Sequence, residues 1–502
     1  MHHVSLIIEF LRGRPAFVFW AVALTQGVLW TLVPALFYSA PPGEVPLLLA
    51  IGHEFVLGSY LGPPLAFWLG EIAFRFGGLI GLYALSQVCI VMALWAVFTL
   101  GRAVVGTRHA VLGILLMVGI AALTVPSPEF SPAVLAAPFW ALALLHYWRA
   151  VGLRQRGAWF LLALDLGLLL LTNYAGVILL ALLIVFTLAT VRGRRALTDV
   201  EPWLALLLFG FVIAPHAIWL YAERDLLIAA FKESLAASGE LSPALWLGVL
   251  LLASHLGLVL LVALASGWPR QRRERAPEID RPPAETAARR YVYFFALAPA
   301  ICALALAFAG GTVWPLGAVG SLAPLVLLSG LAVVVAAGDR VPLYREGMVS
   351  TSWLALLVAP PLLAVLSLAL LPWIAGSDLR IAQPAEAEAQ FFAENYQRRT
   401  GKPIATVSGD ERLAPLLAMM TPERPRVFFA WAPRHSPWIS VDDVAAQGAV
   451  LVWPAESTGQ PPATLKTQFP EMVPELPRSF ERAVQGRLPP IRLGWSVLRP
   501  AQ

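Results

Sequence analysis

The sequence predicts an α-helical polytopic membrane protein of about 11 transmembrane helices, followed by a small C-terminal α/β domain. Three observations carry this expectation. Of 502 residues, 58% are hydrophobic and 13% charged, with a mean hydropathy of +0.72, far more apolar than a soluble globular protein. Eleven segments approach the roughly 20 apolar residues that a bilayer-crossing helix needs. From about residue 378 the texture changes to short alternating stretches rich in Pro and charge, so the division is expected at 1–377 and 378–502.

The apolar segments fall at 16–37, 78–101, 109–126, 132–148, 159–174, 175–191, 203–221, 243–266, 291–309, 313–337 and 351–373. The first follows Arg12 and Arg14 as a signal peptide would, but its apolar run is too long and lacks a small-residue cleavage site, so it is expected to stay uncleaved. Between the first two lies a loop, 38–77, too polar and proline-punctuated to span. Its amphipathic stretches at 45–57 and 64–76 are expected to lie along the membrane surface. Residues 222–241 (AERDLLIAAFKESLAASGEL) read as another short amphipathic helix, and the Arg- and Pro-rich 268–290 as a linker. Asp165 sits inside the fifth span, where a bare charge costs about 2.5 to 3.5 kcal/mol, so it is expected to be protonated or paired in a packing role. In the tail, strands at 404–407, 426–430, 449–453 and near 491–498 alternate with helices at about 411–420 and 441–447, an α/β pattern.

Basic residues set the expected orientation, because positive charge stays on the cytoplasmic side of short loops. With the N-terminus inside, 19 arginines flank the cytoplasmic ends, against Arg75, Arg224 and Lys232 outside. Eleven spans then send residues 378–502 outward, into a periplasm if the host is Gram-negative. The net charge of +5 and pI near 9.4 do not indicate nucleic acid, since the basic residues are spread over membrane-flanking loops without a stacking groove. Cys89 and Cys302 both lie in expected helices and make neither a disulfide framework nor a Cys metal site. No nucleotide-binding glycine motif occurs.

The stretch Ala40 to Trp68, APPGEVPLLLAIGHEFVLGSYLGPPLAFW, puts Glu44, His53 and Glu54 at a membrane surface, where charge is tolerated mainly when it is used or solvated. Its elements PPGEV, IGHEF and LGSYLGPPLAFW, with PFWALALLHYWRA (138–150), LGLLLLTNYAGVILL (166–180), PWLALLLFGFVIAPHAIWLY (202–221), TVWPL (312–316), VSGDERLAP (407–415) and SPWISVDDVAAQGAVLVW (436–453), resemble in order and spacing the family 39 membrane glycosyltransferases that use polyprenol-phosphate sugars, close to the bacterial RgtA/B/C/D-like branch. The resemblance implies a GT-C fold. It also implies that an acid of the first outer loop sits beside a lipid-phosphate-linked sugar while a hydroxyl acceptor attacks the anomeric carbon. Glu44 matches that acid, where the family usually has Asp.

Such chemistry needs a carboxylate to deprotonate the acceptor, donors to stabilise the departing phosphate, and an apolar groove for the lipid tail. On the expected orientation, Glu44, His53, Glu54, Glu129, Asn173, Tyr174 and His216 fall near the outer face. Glu44 is the expected base; His216 and Asn173 are expected phosphate contacts; His53, Glu54, Tyr60, Glu129 and Tyr174 are expected donor or acceptor contacts. Tyr60, Trp68, Trp219 and Trp314 suit sugar stacking, and interfacial anchoring explains them equally well. Each polar residue also has a structural reading: a solvated loop acid for Glu44 and Glu129, a wet helix face for His53 and Glu54, helix packing for Asn173 and His216.

The chain departs from the family pattern at several places. Leu47 stands for a second acid, Leu61-Gly62 for a basic pair before Pro-Pro, Asn173 for a Lys before Tyr, and Ser131 and Ala133 for asparagines. Each lost transition-state donor typically costs about 2.7 to 4 kcal/mol, so Arg75, Arg224, Lys232 or His216 must substitute, or activity is altered. No His, Asp and Glu cluster has convincing metal-ligand spacing, so the residues fix no cofactor; many GT-C enzymes pair a metal with their acids, and the resemblance leaves a divalent metal open. The expected function is transfer of a sugar from a polyprenyl-phosphate donor to an envelope lipid, glycan or protein at the periplasmic face of a bacterial inner membrane, with no nucleic-acid partner. A non-catalytic relative that binds a lipid-linked sugar or partner is the first alternative. A lipid or solute transporter is the second, disfavoured by the absence of repeats and paired broken helices.

Overall fold

A computed structural model describes residues 13–225, 228, 243–268, 278–280, 283–310, 322–342, 346–376, 378–455 and 460–500. Most of 222–241, including Lys232, and the TVWPL block with Trp314 lie outside the described residues. The chain forms two compact units. One holds Met1–Leu32, Leu61–Leu65 and Leu82–Leu362; the other holds Val33–Tyr60, Ala66–Gly81 and Leu363–Gln502.

Among the described residues, seven helices are long and apolar enough to cross a membrane: Pro15–Phe37, Leu65–Met117, Pro132–Gly152, Glu201–Ala222, Ala244–Ala265, Thr286–Phe308 and Gly347–Ile374. Ala158–Leu170, Gly176–Ala189 and Ala323–Ala336 are shorter apolar helices. Each of the eleven expected segments falls on one of these, two of them on Leu65–Met117. That 53-residue helix is broken twice, because Gly78 (φ 57°) and Gly106 (φ 78°) leave the right-handed path. A Cβ added at Gly81 would meet the Ala73 carbonyl oxygen at 2.5 Å, although eight residues of straight helix would separate them by about 12 Å. Two left-handed glycines thus divide one helical run into three legs, close to the stretches expected at 64–76, 78–101 and 109–126. The 64–76 stretch is therefore the first leg of this run rather than a separate surface helix.

In the first unit, helices Pro132–Tyr147, Ala158–Leu170 and Glu201–Ala222 pack in sequence, around buried aromatic side chains such as Trp140, Tyr147 and Tyr291. The Tyr147 and Tyr291 rings stack at 6.0 Å, and the Tyr291 hydroxyl donates to Leu144 O at 2.6 Å. Asp165 has the expected partner: its Oδ2 lies 2.5 Å from Nδ1 of His146, both side chains about 10% exposed or less. Leu207, Phe211 and Leu252 are among many apolar side chains left exposed, as lipid-facing surfaces require. The expected linker holds a short strand, β1 (Glu278–Asp280), antiparallel to β2 (Arg340–Pro342).

The second unit is built on a five-stranded sheet of order β4-β3-β5-β7-β6, comprising β3 (Thr406–Gly409), β4 (Arg426–Phe428), β5 (Ala449–Pro454), β6 (Arg478–Phe480) and β7 (Ile491–Leu498). β3 runs parallel to β4 and β5, and β7 antiparallel to β5 and β6. The central run AVLVW of β5 is wholly buried, as a strand covered on both faces should be. Helix Ala385–Thr400 and strand β6 were not expected from the sequence; the helix is charged on its outer face and ends at Gly401 in the left-handed conformation. Helix Leu413–Met420 packs on β3, on Ala385–Thr400 and on Val45–Gly52. Every residue of Val45–Gly52 is buried. The surface placement expected for 45–57 is thus corrected: VPLLLAIG is apolar all round, and such a helix goes inside.

Glu388 is fully buried on Ala385–Thr400, with Gln383 Nε2 donating to its Oε2 at 2.8 Å. Burial pushes its carboxyl up to about 7, against 4.5 for an ordinary one. A raised folded pKa stabilises fully below the unfolded value and loses that contribution as pH rises through the folded value. Between pH 4.5 and 7.5 the wild type should therefore lose up to about 3 kcal/mol relative to Glu388→Gln, read as a pH-dependent gap between their thermal melts; parallel curves would contradict this. For the intramembrane pair, Asp165→Leu should destabilise by about 1 to 3 kcal/mol by leaving His146 unpaired. The double variant with His146→Leu should recover much of the loss, and strict additivity in a double-mutant cycle would refute the coupling.

Candidate active site

Glu44 owes its position to the Pro41-Pro42-Gly43 turn, in which Gly43 has φ 59°. It occupies the N-cap position of Val45–Gly52 without making a side-chain cap bond, so its carboxylate is not spent on the helix end. The entry to this turn is pinned by the Ser39 and Ala40 N–H groups, which both donate to Ile381 O at 2.9 and 3.2 Å. Arg380 Nη1 lies 3.7 Å from Glu44 Oε1 in an exposed ion pair. Glu44 opens onto a cavity of about 810 Å³ whose lining includes Arg380, Asp410, Glu411, Arg412 and Arg492. Partial desolvation, then the negative charges of Glu44 and Asp410, hold the Glu411 carboxyl above its usual range. The wall thus holds both acceptors and donors, a chemistry suited to hydroxyl-rich ligands.

His53 and Glu54 follow the other end of the same helix and are both engaged. His53 Nδ1 lies 3.2 Å from Glu71 Oε1. Arg426 grips Glu54 with Nε 2.9 Å from Oε1 and Nη2 2.6 Å from Oε2. Glu71, 1% exposed, also accepts from Arg75 Nε at 2.8 Å and Arg424 Nη2 at 2.7 Å. Tyr60 stacks on His435 at 3.8 Å and meets the Phe429 ring edge-on at 6.1 Å. Burial, followed by Glu411 and Glu44, raises the Tyr60 hydroxyl above its ordinary pKa. Trp68 donates its indole N–H to Val56 O at 2.9 Å, fixing the loop on the following helix.

The other expected residues belong to the first unit. Tyr174 and His216 come together, hydroxyl to Nε2 at 2.9 Å, and the His216 ring is stacked against Trp219 at 5.5 Å. Asn173 is buried, and its Oδ1 accepts from Ala175 N at 2.8 Å, closing the turn that starts helix Gly176–Ala189. Glu129 is half-buried in a turn where its N–H donates to Pro126 O at 3.0 Å. Pro215 precedes His216 inside Glu201–Ala222.

Sequence reasoning missed Glu71, Arg424 and Arg426 as members of this constellation. A signal existed for Glu71: in LAFWLGEIAFR a lone acid interrupts an apolar run, and a buried acid demands a partner. Its partner Arg424 lies 353 residues away in sequence, which no local pattern reveals. Among the described residues, no group of three or more His, Cys, Asp or Glu is gathered to hold a metal. Around Glu44 the cavity lining holds Asp410 and Glu411 together with Arg380, Arg412 and Arg492, and no step is assigned to a metal.

Comparison with the curated proteins finds no match. The family described as dolichyl-phosphate-mannose-protein mannosyltransferase matches residues 62–219. Among solved structures the chain is similar to ArnT from Cupriavidus metallidurans bound to undecaprenyl phosphate, with 14% identity, a TM-score of 0.59, and coverage of 97% of this chain and 99% of that one. The apo state of the same protein gives 13% identity and a TM-score of 0.55 over the same shares. The chain therefore has the GT-C fold of the membrane glycosyltransferases and, through residues 62–219, resembles family 39 as its sequence blocks imply.

Proposed function

We propose that the protein is an inner-membrane glycosyltransferase that moves a sugar from a polyprenyl-phosphate donor to a hydroxyl of an envelope lipid, glycan or protein at the periplasmic face. The observation that carries this reading is an acid, Glu44, left out of helix capping and opening onto a cavity of about 810 Å³, in a chain whose fold is shared with a protein crystallised with undecaprenyl phosphate. In the proposed step the Glu44 carboxylate takes the acceptor hydroxyl proton, and the acceptor oxygen bonds to the anomeric carbon. The bond from that carbon to the phosphate oxygen breaks, and polyprenyl phosphate leaves with the electron pair. Separately, within the first unit, the hydrogen-bonded Tyr174 and His216 are proposed to contact a lipid-linked phosphate. Residues 378–502 serve as a lid or acceptor platform, with the N-terminus cytoplasmic.

A second reading, a non-catalytic relative that binds a lipid-linked sugar, is favoured by two observations. Glu54 and His53 are engaged by Arg426 and Glu71, and Leu61-Gly62 stands where family members carry a basic pair. The two readings separate in one assay, transfer of radiolabelled sugars from synthetic polyprenyl-phosphate donors into envelope extract. Wild type should transfer, and Glu44→Gln should transfer at least about a hundredfold more slowly. Equal rates would remove Glu44 from the mechanism, and saturable donor binding without turnover would establish the second reading.

A further inference from the structure

We propose that Glu71 is a positioning residue, which holds helix Val45–Gly52, and through it Glu44, in place against the C-terminal sheet. The inference rests on the reading of Glu44 as the base. Both Glu71 oxygens are occupied: Oε1 by His53 Nδ1 at 3.2 Å and Arg75 Nε at 2.8 Å, Oε2 by Arg424 Nη2 at 2.7 Å. A carboxylate at 1% exposure is tolerated only when paired and hydrogen-bonded in this way. Its partners come from three places: the end of the Val45–Gly52 helix, its own helix, and the turn that leads into β4.

The packing leaves little play. A Cβ added at Gly52 would lie 2.4 Å from Phe67 O and 3.1 Å from Glu71 Cβ, so the helix end rests directly on the Glu71 segment. Only three described residues other than glycine have positive φ, and two are here, Phe55 at 48° and Arg424 at 51°. Each is pinned by an aromatic contact, with the Arg75 guanidinium 5.1 Å from the Phe55 ring centre and the Arg424 guanidinium 4.5 Å from that of Phe74. Left-handed backbone at such residues persists only where the surroundings over-determine it. Two residues beyond Arg424, Arg426 takes Glu54 in a forked pair, a second fastening between the same segments.

Neutralising Glu71 leaves Arg75, Arg424 and His53 facing one another without a counter-charge. The helix that begins at Glu44 then loses the fastening at its far end. A displacement of about 1 Å in a reacting group is enough to cost about a hundredfold in rate.

The test uses the full chain in nanodiscs, with two readouts. Hydrogen exchange of the amides at 46–57 and 424–428 reports the clasp, and steady-state transfer reports its consequence. Glu71→Gln is expected to speed exchange in both segments at least tenfold and to lower kcat at least tenfold, with the KM for the polyprenyl-phosphate donor within twofold of wild type. The neutral pair Glu71→Gln with Arg424→Gln should regain part of the protection, since the excess charge is removed. Should Glu71→Gln not fold, Glu71→Asp, which keeps the charge but shortens the reach, should show the same split at about threefold. Unchanged exchange at 46–57 would overturn the clasp. Faster exchange with kcat within twofold of wild type would overturn positioning. A wild type without Glu44-dependent transfer sinks the Glu44 reading instead, and the exchange data alone then decide whether Glu71 holds the helix.

Discussion

A carboxylate taken out of water must find its counter-charges, and in this chain the carboxylate of Glu71 does so by gathering His53, Arg75 and Arg424 around itself. The loop at 38–77 depends on that constraint. It brings the end of the Val45–Gly52 helix onto the helix that follows the loop, and both onto the edge strand β4 of a sheet formed more than 300 residues later. The loop is therefore a built part of its unit, with its apolar helix buried and its polar ends fastened. Glu44, at the start of that helix, is one of the loop's polar groups that faces an open cavity rather than an internal clasp.

Polar residues in this chain fall into two sets by what satisfies them. Some are absorbed into structure: Asp165 by His146, Glu54 by Arg426, Asn173 by the turn at Ala175. Others stand apart from such internal pairs with structural groups: Glu44 and Glu411 line the cavity, and Tyr174 bonds His216 beside Trp219. The first set shows how expensive buried charge is and how consistently the fold offsets it. The second comprises the groups that the proposed function assigns to a phosphate and a sugar hydroxyl.

Much of the architecture was legible because hydrophobic length and periodicity are local properties. Apolar runs located the helices, and alternation in the tail located β3, β4, β5 and β7, each within a few residues. The breaks at Gly78 and Gly106 were legible only as glycines, since nothing local says which of 38 glycines takes positive φ. The site was legible in part. Glu44 stood out through its turn and through family resemblance, whereas the clasp around Glu71 depends on arginines from the far end of the sequence. The burial of Val45–Gly52 is hidden in the sequence because His53 and Glu54 follow it directly and lend the 45–57 stretch a polar face; taken alone, its eight residues have none.

In the proposed function, this fold serves a lipid-linked phosphate. Native mass spectrometry of the full chain, titrated with a synthetic polyprenyl phosphate, tests it without requiring the sugar or the acceptor to be known. The expected result is saturable binding of one lipid per chain, weakened at least about tenfold by His216→Phe, the loss of roughly one hydrogen bond to a charged group. Binding that never saturates, or that is indifferent to His216 and equalled by an ordinary phospholipid, would contradict it.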